Sequence, residues 1–262
     1  MLLYLNKLIG FTLAALFLSL LPSGCSPSQP DRETEVLVAA ASDLAKAGPQ
    51  FSRAFEKLHG SKVAFSFGAS GQLEQQIRQG APFDVFVPAA RSYCESLKKD
   101  GLVAGDCIVF ARGSLVAWSS AGEIHSLADL KQDSIRRVAI ANPLIAPYGK
   151  AAQQALRAAG LWDGIRSKLV VADSVVQAFQ MAQTGNVDVA LVSRALVLDA
   201  GRPSYVVEPE LYQPIEQTVA VLKASKRQAT AGAFLELLAS REGKQILEQF
   251  GFAIPNHASG TR

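Results

Sequence analysis

Histidine and cysteine are scarce in this chain, three of each among 262 residues, and neither falls at a spacing that holds a metal. His59, His125 and His257 are scattered and read as surface residues. Cys94 and Cys107 fit neither a zinc pattern nor a C-x-x-C redox motif, so no metal site and no cofactor is expected. A dominant charge is lacking too. The 26 Lys and Arg stand interspersed with 23 Asp and Glu, for a formal charge of +3, and binding to a phosphate backbone needs a basic stripe that is not there. Arg136-Arg137 and the set Lys223, Lys226 and Arg227 read as solvated surface, and nucleic acid drops out as a partner. No G-X-Y period, heptad run or fixed-period repeat occurs, which removes collagen, coiled-coil and solenoid folds. The nucleophile elbow G-x-S-x-G is missing as well: Gly68-Ala-Ser70-Gly71-Gln72 breaks it at the last glycine, and no histidine with a supporting carboxylate is identifiable. A secreted serine hydrolase therefore stays only as an alternative, and no enzymatic activity is expected.

What is present is a 49% hydrophobic composition over a length at which one core stops growing, so two lobes of roughly 100 residues are expected. The single long apolar run opens the chain. Leu2 to Leu21 carries Lys7 as its lone charge and gives way to Pro22-Ser23-Gly24-Cys25, which reads as an export signal over 1–24. A permanent membrane anchor is the alternative, since the run is nearly long enough to span. A leader ending in small residues directly before a cysteine resembles a bacterial lipoprotein signal, with Pro22 where such signals usually carry Leu. That resemblance implies a lipidated Cys25, with 25–35 as a tether; ordinary cleavage nearby, with Cys25 lost or left free, is the other reading. Cys94 and Cys107 are then the one pair left in a chain bound for an oxidising compartment, and a disulfide across their short loop is expected, two buried unpaired cysteines being the alternative.

Beyond residue 35 strands and helices alternate. Val36–Ala40 is an apolar strand entering a helix over 43–58, interrupted at Gly48-Pro49, where Pro49 suits a first turn. Strand Val63–Phe67 feeds helix 72–79, strand Phe83–Val87 feeds helix 91–99, and Gly101 closes the latter. A second block repeats the grammar with strands at 114–118, 138–141, 169–172 and 187–192. Helices follow at 126–130, 148–159 and 175–184, the last capped by Ser174 and with Val176, Phe179 and Ala182 turned inward. A return strand at 218–223 precedes helices 230–239 and 243–250. The fold class is α/β with parallel sheets, and the return strand makes the first lobe discontinuous: 36–113 plus 218–256, against 114–217 for the second lobe, with 257–262 as a tail.

Each strand-to-helix junction presents unpaired backbone N–H groups and the positive end of a helix dipole, and in open α/β sheets ligands bind beyond the carboxyl ends of the strands. Ser42, Ser70 and Ser174 sit at such junctions, Tyr148 and Gly149 open a helix after Pro147, and Ser193 ends a strand. Lys46, Lys150 and Arg194 lie nearby without occupying the first three junctions. Serine hydroxyls and N–H groups together suit a small dianion held by hydrogen bonds alone. Serine is also simply the favoured cap of any helix, so the pattern by itself leaves anion binding and plain structure both open.

The segments Ala39-Ala-Ala-Ser42, Phe67-Gly-Ala-Ser70-Gly71, Gly80-Ala-Pro-Phe-Asp84-Val-Phe86, Asn142-Pro143 with Ala146-Pro-Tyr-Gly-Lys-Ala-Ala152, Leu161-Trp162, Asp173-Ser-Val175 and Phe250-Gly-Phe252, taken in order, resemble the periplasmic molybdate-binding proteins of ABC importers. The resemblance runs from about residue 36 to 254. It implies a two-lobed periplasmic-binding-protein-like fold, each lobe a mostly parallel sheet flanked by helices, with two crossing strands between them. It also implies a molybdate or tungstate ion in the cleft, an ABC permease and its ATPase as partners, an extracytoplasmic location and a monomer. Ser42 and Ser70 fall on the family's two binding serines, and two further backbone donors fall near Tyr148, or failing it Gly149, and on Val175. Where better-known members carry a tyrosine hydroxyl this chain has Ser193, so the fifth contact comes from Ser193, from the Tyr148 hydroxyl, or is absent. Sulfate, thiosulfate, phosphate and a phosphonate are the competing ligands. Phosphate would want an acceptor such as a carboxylate, and Asp43 and Asp173 adjoin the motifs.

Overall fold

The apolar runs become strands and the capped amphipathic stretches become helices in the computed structural model, which describes residues 35–255. The leader, Cys25, His257 and the 257–262 tail lie outside the described residues. The first block is β1 (Glu35–Ala41), α1 (Gly48–His59), β2 (Lys62–Gly68), α2 (Ser70–Arg78), β3 (Val85–Val87), α3 (Arg91–Lys99) and β4 (Val103–Gly113). The second is β5 (Leu115–Trp118), β6 (Val138–Ala141), α4 (Pro147–Ala158), α5 (Trp162–Ile165), β7 (Leu169–Ala172), α6 (Val175–Gln183), β8 (Val189–Ser193), α7 (Arg194–Val197) and β9 (Tyr205–Val206). The chain then returns through β10 (Ile215–Leu222) to α8 (Gln228–Ala239) and α9 (Arg241–Gln249). One sheet has the order β2-β1-β3-β10-β4 and the other β7-β6-β8-β5-β9.

The periodicity of β1 shows why these residues form a central strand. Val36, Val38 and Ala40 point into a cluster with Phe51 and Phe55 of α1 and Phe234 of α8, while Ala39 points into the opposite cluster with Leu73 of α2 and Leu97 of α3. A strand covered on both faces reads as an unbroken apolar run. Phe234 packs edge-on against Phe51, Phe55 and Phe65, with ring centroids 6.5, 5.8 and 5.9 Å away. These contacts anchor the returning C-terminal helices in the first lobe. Pro49 takes its expected first-turn place in α1.

Four of the five strands of each sheet run the same way, and one runs against them. β1 pairs in parallel with β2 and β3, and β6 with β7 and β8, but β10 is antiparallel to β3 and β4, and β5 to β8 and β9. The reason is connectivity: β4 leaves the first lobe through Gly113 into β5, β10 comes back, and the two crossing segments lie side by side in opposite directions. β4 itself gives no clear signal in the sequence, because Gly105, at φ 84°, and exposed Asp106 interrupt its alternation on a sheet edge. β10 begins at Ile215, earlier than expected, and its register against β4 shifts between Gln217 and Thr218. In α6 the buried residues are Val175, Ala178, Phe179 and Ala182, with Val176 half-buried. His59, His125, Arg136, Arg137, Lys223 and Lys226 are exposed. Arg227 is not the solvated residue expected: it is half-buried and bonds the buried Asp84, 3.3 Å to Oδ2.

Cys94 of α3 and Cys107 of β4 are joined as a disulfide, with Cα atoms 5.9 Å apart and a sequence separation of 13. Both are buried beside Leu97 and Phe86. A closed loop of this length restricts the unfolded chain, so Cys94→Ser with Cys107→Ser should cost about 3 kcal/mol in urea denaturation. The unreduced, unfolded protein should take up no alkylating reagent at these positions. Two titratable thiols there would contradict the pairing.

Candidate functional site

The carboxyl ends of the parallel strands of both sheets face one cleft. Ser42 follows β1 directly and opens a short 3-10 turn over Ser42–Leu44, and Ser70 is the first residue of α2, just past β2. From the second lobe, Pro147 and Tyr148 open α4 beyond β6, and Val175 opens α6 beyond β7 with Ser174 as its side-chain cap. The first N–H groups of a helix have no partner within it, and Pro147 has none to offer, so Tyr148 is the first donor of α4. Ser42, Asp43, Ser70, Pro147, Tyr148 and Val175 line one small cavity. The Ser70 hydroxyl accepts from Ala89 N–H at 3.1 Å, which leaves its own proton to donate. Ser42 is 5% exposed, and its hydroxyl meets no hydrogen-bond partner among the described residues.

Close backbone approach sets this geometry. A Cβ on Gly149 would collide with the Ala141 carbonyl oxygen, so glycine lets α4 begin against the end of β6. Across the cleft, Gly71 N–H donates to Ile145 O at 2.8 Å, and a Cβ on Gly71 would press on the Ile145 backbone at 3.1 Å.

A polar chain lies behind the cavity. Ser193 Oγ donates to the Tyr148 hydroxyl at 3.0 Å and accepts from Ala195 N–H at 3.2 Å. The Tyr148 hydroxyl adjoins Asp43, whose Oδ2 accepts from Gln217 Nε2 at 2.6 Å. Asp43 is 1% exposed and Gln217 fully buried, and Asp43 Oδ1 and Gln217 Oε1 have no hydrogen-bond partner among the described residues. Burial pushes the Asp43 carboxyl up to about 7, against the opposing pull of the Tyr148 hydroxyl, its own N–H and the Gln217 amide. Burial, and then the Asp43 charge, hold the Tyr148 phenol well above its ordinary range.

The profile of a family described as bacterial extracellular solute-binding proteins matches residues 36–253. The chain belongs to this family. Among its relatives is the molybdate-binding protein ModA of Azotobacter vinelandii, 36% identical over 227 residues, covering 84% of this chain and 90% of that one. ModA of Rhodobacter capsulatus is 34% identical over 221 residues, 83% and 88% of the two chains. The solved structure of the Azotobacter vinelandii periplasmic molybdate-binding protein superposes with a TM-score of 0.80 at 30% identity, covering 84% of this chain and 99% of that chain. The cavity described above is lined from both sheets, by Ser42 and Ser70 on one side and Tyr148 and Val175 on the other.

Of the residues expected at that site, Ser42, Ser70, Tyr148 and Val175 come together around the cavity. Ser193 lies behind them, buried, with its hydroxyl engaged by Tyr148 and Ala195. Asp173 is exposed, away from the cavity lining. Asp43, which the sequence offered only as an acceptor for phosphate, lines the cavity, and Gln217, which it did not single out, lies behind it. For Asp43 the signal was its position beside the first serine motif; Gln217 carried none.

A carboxyl whose folded pKa is raised above its unfolded value contributes stability that is present below about pH 4 and lost as pH rises through about 7. The ligand-free protein should therefore lose on the order of a few kcal/mol between pH 5 and pH 8. Asp43→Asn keeps the shape and should flatten that decline in urea melts. Parallel profiles for the two proteins would refute this assignment of the buried charge.

Proposed function

We propose that this protein is an extracytoplasmic binding protein that captures molybdate, or the like-shaped tungstate, in its interlobe cleft and delivers it to an ABC-type permease and its ATPase. The observation that carries this reading is the convergence of the Ser42, Ser70, Tyr148 and Val175 helix starts, from two sheets, on one small cavity. Backbone N–H groups and two hydroxyls supply donors with fixed directions, which suits a tetrahedral dianion with no proton to give. The names of the ModA relatives agree with that chemistry. The protein binds and releases its ligand without transforming it, acts as a monomer, and takes no cofactor. It works outside the cytoplasm, held to the membrane through a lipid on Cys25. Mass spectrometry of protein from a bacterial membrane fraction should find that modification, and a soluble mature chain beginning after Cys25 would sink the anchor.

A second reading rests on Asp43. A carboxylate at the cavity wall can accept a proton from hydrogen phosphate, so phosphate is the competitor this geometry favours over sulfate. A thermal-shift panel of molybdate, tungstate, sulfate and phosphate separates them. Ligand at 100 times its dissociation constant adds about 2.7 kcal/mol, or roughly 5 to 10 °C for a chain of this size. Molybdate and tungstate should give the largest shifts. Ser42→Ala and Ser70→Ala should each weaken molybdate by about tenfold to a hundredfold, since each removes a donor to a buried charge. Ser193→Ala should change affinity less than either. A larger shift with phosphate or sulfate would overturn the molybdate assignment, and no shift with any of the four would overturn the oxyanion site.

A further inference from the structure

The cavity that holds four sets of donors also holds a carboxyl group, and a dianion cannot be buried against a carboxylate without a large repulsive cost. Asp43 follows Ser42 directly, lines the same cavity and is 1% exposed. One of its oxygens is bonded by Gln217 and the other, Oδ1, has no hydrogen-bond partner among the described residues. The groups that act on this carboxyl are the Tyr148 hydroxyl, the Gln217 amide and the N–H groups of Asp43 and Leu44, none of them a cation.

The elements around it bring no compensating charge. From α4, Tyr148 faces the carboxyl, with Tyr212 acting on Tyr148 in turn, and Lys150 is exposed. From β10 comes neutral Gln217, while Glu216 pairs with Arg112. α6 has no titratable side chain, Arg194 of α7 and Lys62 of β2 are exposed, and Ser193 of β8 is neutral. On its own turn, Lys46 is committed to Asp199 and to the face of Phe179, 5.4 Å from the ring centroid.

We propose that Asp43 makes oxyanion capture proton-linked: the cleft closes on a dianion only with the Asp43 carboxyl protonated, which removes the negative charge from the cavity wall and turns an acceptor group there into a donor. The inference rests on the oxyanion reading of the cleft and adds its protonation requirement. When the lobes are apart and water reaches Asp43, the group is an ordinary ionised carboxylate at neutral pH. Closure around the dianion then takes one proton from solvent: carboxylate, dianion and one proton go in, and a neutral carboxylic acid with the bound dianion results. The direction of the Asp43 shift toward about 7 in the closed lobes, before any anion charge is added, agrees with this order of events. A site of this kind binds a fully deprotonated oxyanion progressively more weakly as pH rises.

The test is titration calorimetry of the full mature chain with sodium molybdate at pH 8, in buffers of different ionisation heats, together with affinities measured from pH 6 to 9. Molybdate carries no proton of its own over that range, so any proton taken up belongs to the protein. Uptake of close to one proton per molybdate at pH 8 is expected, with affinity falling toward tenfold per pH unit on the alkaline side. In Asp43→Asn, whose amide donates without titrating, uptake should vanish and affinity should be flat with pH. Tight binding with no proton uptake at pH 8 in the unsubstituted protein overturns the proposal and leaves the molybdate reading intact. So does uptake that survives in Asp43→Asn. Failure to bind molybdate even at pH 6, where Asp43 is most readily protonated, overturns both. The unsubstituted protein alone gives the proton count, so the proposal stays falsifiable if the variant does not fold.

Discussion

The chain passes between its two sheets twice, and the two passing segments are hydrogen-bonded to each other: Gly113 faces Ile215, Arg112 faces Glu216 and Ala111 faces Gln217. Much of the site follows from that paired ribbon. It joins the two sheets, and it places Gln217 beside Asp43 and Gly113 beside the Tyr148 hydroxyl, which a side chain at 113 would displace. The ribbon is antiparallel because one segment leaves and the other returns, and this is also why each sheet mixes strand directions. The long β4 carries a ladder with register shifts and is stapled to α3 by the Cys94–Cys107 disulfide.

Electrostatics at the cleft is built from dipoles rather than ions. Lys46 is near the site yet paired with Asp199, and Lys150 and Arg194 are exposed. Oriented N–H groups cost nothing to reorganise when an anion arrives, whereas a lysine tip would attract any anion of any shape. Discrimination then falls to cavity size and to the protons the ligand carries. That makes the protonation state of the one carboxyl in the wall more consequential than any surface charge.

The sequence carried the elements whose signals are local. β1, α1, α3, β6, β7 and α6 lie within a residue or so of where apolar runs, Pro49, Gly101 and Ser174 put them, and Ser42, Ser70, Tyr148 and Val175 meet as their junctions suggested. What stayed hidden depends on neighbours distant in the chain. β4 breaks period-two alternation at Gly105 and Asp106, and its partner strand comes more than 100 positions later. Gln217 lies 174 residues from Asp43, and nothing in a run reading IEQTVAVL marks its third residue as a partner of a buried acid. Ser193 could be seen to end a strand, but not to be masked by Tyr148. Arg227 looked like surface because the Asp84 that draws it inward is also distant in sequence.

The lobes meet through apolar as well as polar contacts: Ala41, Ala69 and Ala89 pack into the second lobe's cluster, and Ala195 of α7 into the first's. Across the cleft stand the Gly71–Ile145 backbone hydrogen bond, the Lys46–Asp199 pair with Lys46 over Phe179, and the contact of Tyr148 with Asp43. Asp199 is 72% exposed, and an ion pair of that kind is worth about 0 to 1 kcal/mol. A single backbone hydrogen bond adds about 1 kcal/mol, and the Asp43 contact opposes closure whenever the carboxyl is charged. A receptor needs both arrangements within reach if a partner is to tell its loaded form from its empty one. An anion that binds only the closed arrangement shifts the population by its full differential affinity. Asp43 sets the pH at which that shift is available.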